Sequence, residues 1–127
     1  MSWQDGDIRE AYAEELRAWA KGVHHTMAAT ELLIRGFDGS FLNPGYPWME
    51  VNGSDGMPWI NFEVIPEHIG AKSGGERRFL LVVASIASSQ VDVCLWEALS
   101  MDKKHTELVV SAVAHASGFG ELYPWPA

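Results

Sequence analysis

Apolar residues recur at helical spacing in the first part of the chain, with polar residues between them. The repeated positions are Ile8, Tyr12, Leu16, Trp19, Val23, Met27 and Ile34. Steps of three, four or seven residues place side chains on one helix face, so the pattern predicts one long amphipathic helix over residues 7–35. Gly22 is its weakest point, because glycine costs about 1 kcal/mol against alanine in a helix, and a bend is allowed there.

The pattern breaks after residue 36, where Gly, Pro, Asn and Asp become frequent and predict loops. Two short apolar runs, residues 48–51 and 59–62, flank a segment with Asn-Gly and Asp-Gly turn signals and predict a β-hairpin. We expect Trp48 and Trp59 to pair across it. Since two strands alone are marginally stable, the hairpin is expected to pack on helices.

The second half of the chain is expected to be helical. Ser73 and Glu76 form the S-x-x-E pattern of a capping box, which predicts a helix over residues 74–88. This helix is apolar on nearly all sides and should be the most buried element. The β-branched content of residues 79–83 also allows a strand, but the capping box favours the helix.

Two further helices are predicted toward the C-terminus. A short one covers residues 93–99 behind an Asp92 cap, and a longer one covers 101–117 between a Ser100 cap and a terminating Gly118. The aromatic tail that follows is expected to lie across the body of the protein.

Together these elements predict a single domain, residues 1–127, of mainly helical α+β class. It combines the long N-terminal helix with a small hairpin (46–63) and a helical part (74–118) that contains two main helices. A chain of 127 residues fits one domain, because single domains cluster at about 100–150 residues.

The charge of the chain limits its partners. Acidic residues outnumber basic ones by 17 to 9, which gives a formal net charge of −8. Most of it lies in residues 1–64, where 10 acidic and 4 basic residues give −6. Phosphate backbones and anionic membranes attract positive surfaces, so neither nucleic acid nor a membrane is an expected partner.

Cysteine content and hydropathy bear on the compartment. Cys94 is the only cysteine, which excludes an internal disulfide and suggests a reducing environment. No apolar run reaches the roughly 18–20 residues of a membrane span, and the N-terminus is too acidic and polar for a signal peptide. A cytoplasmic protein is predicted.

The six residues from Ser73 to Arg78 (SGGERR) look like the signature motif of ABC-type ATPases, in which a helix start contacts a nucleotide phosphate. That chemistry also needs a Walker A loop, and the chain contains neither GxxxxGKS nor GxxxxGKT. The capping box accounts for the same residues without a nucleotide.

Histidine positions do not form a metal or catalytic pattern. His24 and His25 are adjacent and point about 100° apart on a helix, while His105 and His115 lie on different faces of the last helix. The chain has no HExxH sequence and no G-x-S-x-G nucleophile elbow. We therefore predict no metal and no cofactor, and the balance is against an enzyme.

Two residues that could carry chemistry are expected to be structural. His115 borders the apolar stripe of the last helix, so it is expected to be a hydrogen-bonded core histidine. Cys94 lies between Val93 and Leu95, and this apolar setting predicts a buried thiol.

Tryptophan is unusually frequent, with six residues in the chain. Tryptophan dominates the hot spots of protein interfaces, but it also fills small cores. For Trp48 and Trp59 the core is favoured over an interface, whereas for Trp3 and Trp125 both alternatives stay open. The candidate binding residues are Trp19, Val23, Met27, Trp48, Trp59 and Trp125.

Several groups of residues resemble small proteins of actinobacteria and their mobile elements. They are Trp48-x-x-Val51 with Trp59-Ile60, the SGGERR segment, and Ala98-Leu99-x-x-Asp102 with Ala114-His115-Ala116-x-Gly118. The resemblance covers about residues 46–118. It implies a cytoplasmic accessory protein and carries over no activity and no functional residue.

Three functions follow from these observations. The first is a non-enzymatic interaction protein that binds a protein partner through the acidic first helix or the Trp-lined loop. It could also form a homodimer through the helix face of Trp19, Val23 and Met27. The second is an acidic inhibitor that occupies a basic site on a partner, as the negative first half suggests. The third is a small ligand-binding or enzymatic domain with a pocket near Trp48, Trp59 and His115.

Overall fold

The N-terminal helical segment is divided into two helices in the computed structural model, which describes residues 6–127. Helix α1 covers Gly6–Ala20 and α2 covers His24–Arg35. Between them Gly22 has a φ of +103°, a conformation that other residues rarely adopt. Helix α1 confirms the prediction of a long N-terminal helix. The predicted continuation of that helix to residue 35 is wrong, because the later residues form a second helix, α2.

The turn at Gly22 folds α2 back against α1. The Nε atom of Arg17 lies 2.8 Å from Oε2 of Glu31, whereas the two residues would be about 21 Å apart along one continuous helix. Helix α2 makes its most extensive contacts with α3 (Gly74–Ala87) and α5 (Lys103–Ala116). It therefore lies in the middle of the helical layer and not at the end of a long rod.

A short left-handed stretch connects α2 to the hairpin. The 3₁₀ segment Gly36–Leu42 contains Phe37, Asp38 and Gly39 with φ angles of 49°, 55° and 76°. The backbone N–H of Phe37 donates to Nε2 of His105 at 3.0 Å, and the two rings stack with centroids 4.1 Å apart. These contacts hold a backbone conformation that costs about 1–3 kcal/mol for each non-glycine residue.

Strands β1 (Met49–Val51) and β2 (Pro58–Ile60) form the predicted hairpin, an antiparallel pair in which Glu50 lies opposite Trp59. Trp48 precedes β1, and its carbonyl oxygen pairs one position beyond β2. The predicted pairing of Trp48 with Trp59 is therefore wrong, because the register gives each ring a different environment.

Trp48 is part of the hydrophobic core. Its side chain is fully buried, its Nε1–H donates to the carbonyl of Phe41 at 3.0 Å, and its ring stacks on Tyr46 with centroids 4.5 Å apart. Of the two alternatives for Trp48, the core position is confirmed and the interface position is wrong, because a partner cannot contact a residue without exposed surface.

Helix α3 begins at the predicted capping box, after a second 3₁₀ segment (Phe62–His68). The Oγ of Ser73 accepts the backbone N–H of Glu76, and the Glu76 carboxylate accepts the backbone N–H of Ser73. The helical alternative for residues 79–83 is thus confirmed. Burial of Phe79 and Leu80 is complete, which makes α3 central to the core as predicted.

Helix α4 (Leu95–Ala98) and helix α5 begin later than predicted. Cys94 is the N-cap of α4 and Asp102 is the N-cap of α5, so the predicted caps Asp92 and Ser100 are corrected. The Asp102 carboxylate accepts a backbone N–H of the first turn at 2.8 Å. A carboxylate also suits the positive end of a helix dipole better than the Ser100 hydroxyl.

Gly118, with a φ of +85°, ends α5 as predicted. With helices in most of the described chain and one two-stranded hairpin, the predicted mainly helical α+β class is confirmed. Within residues 6–127, no helix combines the length and the hydropathy that a membrane span requires.

Candidate functional site

Two tryptophans predicted as binding residues meet in a groove between α1 and the hairpin. The ring centroids of Trp19 and Trp59 lie 6.4 Å apart, and their planes are inclined at 45°. Trp19 is 39% exposed and Trp59 is half-buried, so both rings keep accessible surface. The groove has a volume of about 430 Å³, and its other lining residues are Glu15, Ala18, Asn52, Asp55, Met57 and Pro58. We call it the acidic tryptophan groove.

The charges in this groove are all negative. Glu15 and Asp55 are exposed, and none of the described residues that line the groove carries a positive charge. The Oδ1 atom of Asp55 accepts the backbone N–H of Met57 at 2.9 Å, which fixes the carboxylate at the groove wall. Burial and, secondarily, the charge of Glu15 raise the pKa of the neighbouring Tyr12 to about 12.

A second cavity lies between α1, α2, α5 and the C-terminal residues 118–126, a segment that we call the strap. Its volume is about 320 Å³. Polar or aromatic side chains in its wall are Arg17, His24, Thr30, Glu31, His115 and Trp125, and the remaining wall is formed by Ala20, Met27, Ala28, Gly118 and Gly120. We call it the strap cavity. It shares no lining residue with the acidic tryptophan groove.

The strap is attached through its last residues. The ring of Trp125 stacks on His115 with centroids 4.8 Å apart, and the guanidinium of Arg35 lies 5.3 Å from the Trp125 centroid. Arg35 also donates to the carbonyl of Pro126 at 3.0 Å. A Cβ on Gly120 would lie 2.4 Å from Nδ1 of His115, so only glycine permits this close approach. The tail crosses the body of the protein, as predicted.

The charged groups of the strap cavity are already paired. Glu31 accepts hydrogen bonds from Nε and NH2 of Arg17 at 2.8 and 3.0 Å, and from Nε of Arg35 at 2.8 Å. Burial raises the pKa of the Glu31 carboxyl, but these arginines outweigh it, so the pKa lies below its ordinary value. The hydrogen bond to Glu31 likewise raises the pKa of Arg17.

Two uncharged polar atoms in the same cavity wall have no partner. Across the described chain, Oγ1 of Thr30 and Nε2 of His115 are the buried side-chain polar atoms that lack a hydrogen bond. Leaving such an atom unpaired costs about 1–3 kcal/mol. The expectation of a hydrogen-bonded His115 is therefore corrected, because its ring is held by stacking on Trp125.

The six predicted binding residues do not form one site. Trp19 and Trp59 line the acidic tryptophan groove, while Met27 and Trp125 line the strap cavity. Val23 is 55% exposed in the turn between α1 and α2.

The predicted pocket near Trp48, Trp59 and His115 does not form. Trp48 lies in the core, and the other two residues line different cavities. Trp3 lies outside the described residues.

One aspartate–histidine pair has the outward form of a catalytic dyad. Nδ1 of His105 lies 2.8 Å from Oδ1 of Asp102, but Nε2 accepts the backbone N–H of Phe37. Both ring nitrogens are thus occupied by the protein itself. Hydrogen bonds from the backbone and then the ring of His105 lower the pKa of Asp102. The pair joins α5 to the left-handed stretch and leaves no nitrogen for a substrate.

Neither a metal-ligand cluster nor a buried thiol is found within residues 6–127. Within residues 6–127, no three His, Cys, Asp or Glu side chains are grouped closely enough to hold a metal ion. Cys94 is exposed, so the prediction of a buried thiol is corrected. The reason is that α4 is only four residues long and buries Ala98 alone.

Sequence reasoning missed two features of the surface and the interior. Leu95, Trp96 and Leu99 around α4 are 68%, 84% and 68% exposed. The sequence signal for these exposed residues is the apolar Leu-Trp pair, which lies in a helix that is too short to bury more than one face. Thr30 and Glu31 were missed because their contacts require the turn at Gly22. One continuous helix would not form these contacts.

Comparison with protein-family models, curated proteins and solved structures gives no match for this chain. The resemblance to actinobacterial proteins therefore stays a prediction. What bears on function is the geometry of the acidic tryptophan groove and of the strap cavity.

Proposed function

We propose that this chain is a non-enzymatic cytoplasmic interaction protein that binds a basic side chain, arginine or lysine, of a protein partner in the acidic tryptophan groove. One observation carries the proposal: two inclined indole rings and two carboxylates line one groove without a positive charge among its described lining residues. This combination merges the first two functions that the sequence suggested.

The indole rings supply the shape and part of the attraction. A cation within about 6 Å of a tryptophan centroid is attracted by the negative face of the ring, and tryptophan is the strongest of the aromatic residues in this respect. Because the centroids of Trp19 and Trp59 are 6.4 Å apart and inclined, one cation can lie within that distance of both. At an exposed site each such contact contributes about 0.5–1 kcal/mol.

The carboxylates supply charge and direction. Glu15 and Asp55 accept charge-assisted hydrogen bonds from a guanidinium or an ammonium group, and such bonds are stronger than neutral ones. In contrast, the carboxylates of Glu10 and Glu14 are already bound to Arg17. Glu15 and Asp55, by contrast, take part in no ion pair among residues 6–127.

Net charge favours a basic partner over a second copy of the chain. Two copies would each bring a formal charge of −8, and most of it lies in the half that contains the groove. Like charges across an interface oppose association, whereas a basic surface is steered toward it. The occupant is thus a different protein with arginine or lysine at its surface.

Short blocked peptides test the proposal directly. The peptide Gly-Arg-Gly-Arg-Gly should produce a saturable change in tryptophan fluorescence that weakens as NaCl is added, because salt screens exposed charges. The peptide Gly-Glu-Gly-Glu-Gly should produce none. Binding of both peptides, or of neither, would refute the proposal.

Matched variants separate the groove from general charge attraction. Asp55→Asn removes the charge but keeps an oxygen for the backbone N–H of Met57, and it should weaken the arginine peptide about two- to fivefold. Glu67→Gln changes net charge equally at an exposed residue that does not line the groove and should have no effect. Trp59→Leu keeps an apolar side chain and should weaken binding about two- to fivefold, because it removes one of the two indole rings. Equal effects of the two charge variants would contradict a specific site.

Sedimentation of the unliganded protein tests the homodimer. We expect a monomer. A dimer that Trp19→Asp converts to a monomer, together with absence of peptide binding, would show that a second copy occupies the groove and would overturn the proposal.

A further inference from the structure

The two indole rings of the acidic tryptophan groove are positioned by the fold itself. The ring of Trp19 stacks on the buried Phe62, with centroids 6.4 Å apart and planes inclined at 27°. Trp59 lies in β2, where it pairs with Glu50 of β1. Side chains that are ordered before a partner arrives lose less entropy on binding, so the ring pair is a preorganised surface.

The rest of the groove combines apolar surface with negative charge. Ala18, Met57 and Pro58 complete the lining beside the indole rings. The two carboxylates, those of Glu15 and Asp55, belong to exposed residues of the same lining. An occupant that matches this surface carries a positive charge and apolar groups around it.

We infer that the groove binds the trimethylated form of a lysine side chain, which ends in a quaternary ammonium group. This inference rests on the proposed function, because it names the form of the basic side chain that the groove binds. Proteins bind quaternary ammonium ions between aromatic rings, at up to about 6 Å from the ring centroids. The 6.4 Å separation of the Trp19 and Trp59 centroids allows one such ion to lie within that distance of both.

Hydration distinguishes trimethyllysine from unmodified lysine in this groove. A primary ammonium is a compact, strongly hydrated charge with three N–H donors. Indole faces and aliphatic side chains do not replace the water that such a group loses. A trimethylammonium group has no N–H donor, and its methyl groups bury apolar surface against the rings and the aliphatic lining. Methylation therefore lowers the cost of desolvation and adds apolar contact.

The turn of the hairpin already uses several hydrogen-bond acceptors of the groove. Oδ1 of Asn52 accepts the backbone N–H and the hydroxyl of Ser54 at 2.9 and 2.8 Å. Oδ1 of Asp55 accepts the backbone N–H of Met57 at 2.9 Å. Fewer acceptors thus remain for the three donors of a primary ammonium, whereas a trimethylammonium group requires none.

The negative charge of the groove also identifies the source of the quaternary ammonium group. A phosphocholine lipid headgroup carries the same cation, but a phosphate lies next to it. Glu15 and Asp55 repel that phosphate, and the chain as a whole has a formal net charge of −8. A trimethyllysine side chain brings the cation without an anion, so the occupant belongs to a protein.

Four ligands test the inference by NMR titration of the full chain. They are the blocked peptides Gly-Lys-Gly and Gly-trimethyllysine-Gly, the same peptide with carbon in place of the quaternary nitrogen, and phosphocholine. The trimethyllysine peptide should bind about five- to tenfold more tightly than each of the others, because only it combines the charge with the apolar shape. An affinity equal to that of the lysine peptide, the carbon analogue or phosphocholine would overturn the inference.

The bound methyl groups provide a signature of their position. Protons above the face of an aromatic ring are shielded by its ring current. The methyl signal of the trimethyllysine peptide should therefore move upfield as the wild-type protein is added. A methyl signal that does not move in the saturated complex would mean that the cation lies away from the rings, contrary to the inference.

Tryptophan variants locate the bound cation. In Trp59→Leu, the preference for trimethyllysine over lysine should fall to about twofold or less, and Trp59→Phe should retain part of it because a ring remains. Trp96→Leu is the matched control, since Trp96 is 84% exposed and does not line the groove, and it should keep the full preference. An equal preference in Trp59→Leu and Trp96→Leu would contradict binding between the rings.

The peptides also separate this inference from the proposed function. If the arginine peptide binds to the wild type but methylation of lysine does not increase affinity, the inference alone fails. If neither the arginine peptide nor any lysine peptide binds, the proposed function fails and the inference fails with it.

Discussion

Replacing Thr30 by valine should stabilise the protein. The hydroxyl of Thr30 is buried and unpaired, whereas the methyl group that replaces it in valine needs no hydrogen bond. The two side chains are similar in shape, so neither a cavity nor a steric clash is expected.

The size of the effect follows from the environment of the hydroxyl. An unpaired buried hydroxyl costs about 1–3 kcal/mol relative to its hydrated state in the unfolded chain. Valine avoids that cost and adds buried apolar surface, since the residue is only 1% exposed. We therefore expect a gain of about 1 kcal/mol in the free energy of unfolding.

Urea unfolding followed by circular dichroism measures this difference. For a domain of this size, a gain of about 1 kcal/mol raises the melting temperature by roughly 4 °C. Thr26→Val at a half-buried position is the control, and its change should remain within about 0.5 kcal/mol. Destabilisation by Thr30→Val, with the control unchanged, would contradict this prediction because it would mean that the hydroxyl has a native partner.

Three further predictions concern the turn, the ion pairs and the core. Gly22→Ala should destabilise by about 1–2 kcal/mol relative to Gly53→Ala, because both added methyl groups meet open space but only residue 22 has a positive φ, and urea unfolding of the two variants measures the difference. The carboxyl of Glu31 has a lowered pKa, so its stabilisation is present above its ordinary pKa and is lost as the pH falls through the lower value. Glu31→Gln should therefore reduce neutral stability by about 1–3 kcal/mol and flatten the loss of stability in acid titrations below the ordinary pKa of glutamate. Gly36→Ala should cost at least about 1–3 kcal/mol in thermal unfolding, because its Cβ would lie 2.0 Å from Cζ of the fully buried Phe79, and a melting temperature equal to the wild type would contradict this packing.

Local signals in the sequence were sufficient wherever a structure depends on neighbouring residues. The capping box of Ser73 and Glu76, the hairpin with its Asp-Gly signal and the end of α5 at Gly118 all formed as predicted. Each of these depends on backbone angles and hydrogen bonds within a few residues, and such preferences can be recognised in a single chain.

The spacing of apolar residues gave a wrong prediction where one local pattern is compatible with two structures. The apolar repeat is compatible with one helix over residues 7–35 or with two that fold together, and Gly22 permits both. Packing of α2 on α3 and α5 favours the folded pair, because a continuous helix would leave much of its apolar face in water. Similarly, Asp102 and not the predicted Ser100 caps α5, because its carboxylate accepts a backbone N–H of the first turn.

Residue type and short-range spacing were enough to predict the class of the fold, the acidic charge, the capping box at Ser73 and the end of α5 at Gly118. Which side chains share a surface depends instead on tertiary packing. It placed Trp48 in the core and Trp59 beside Trp19, and it brought Thr30 and His115 to one cavity. Such contacts join residues far apart in the chain, and they are set by how whole elements pack, which no local pattern records.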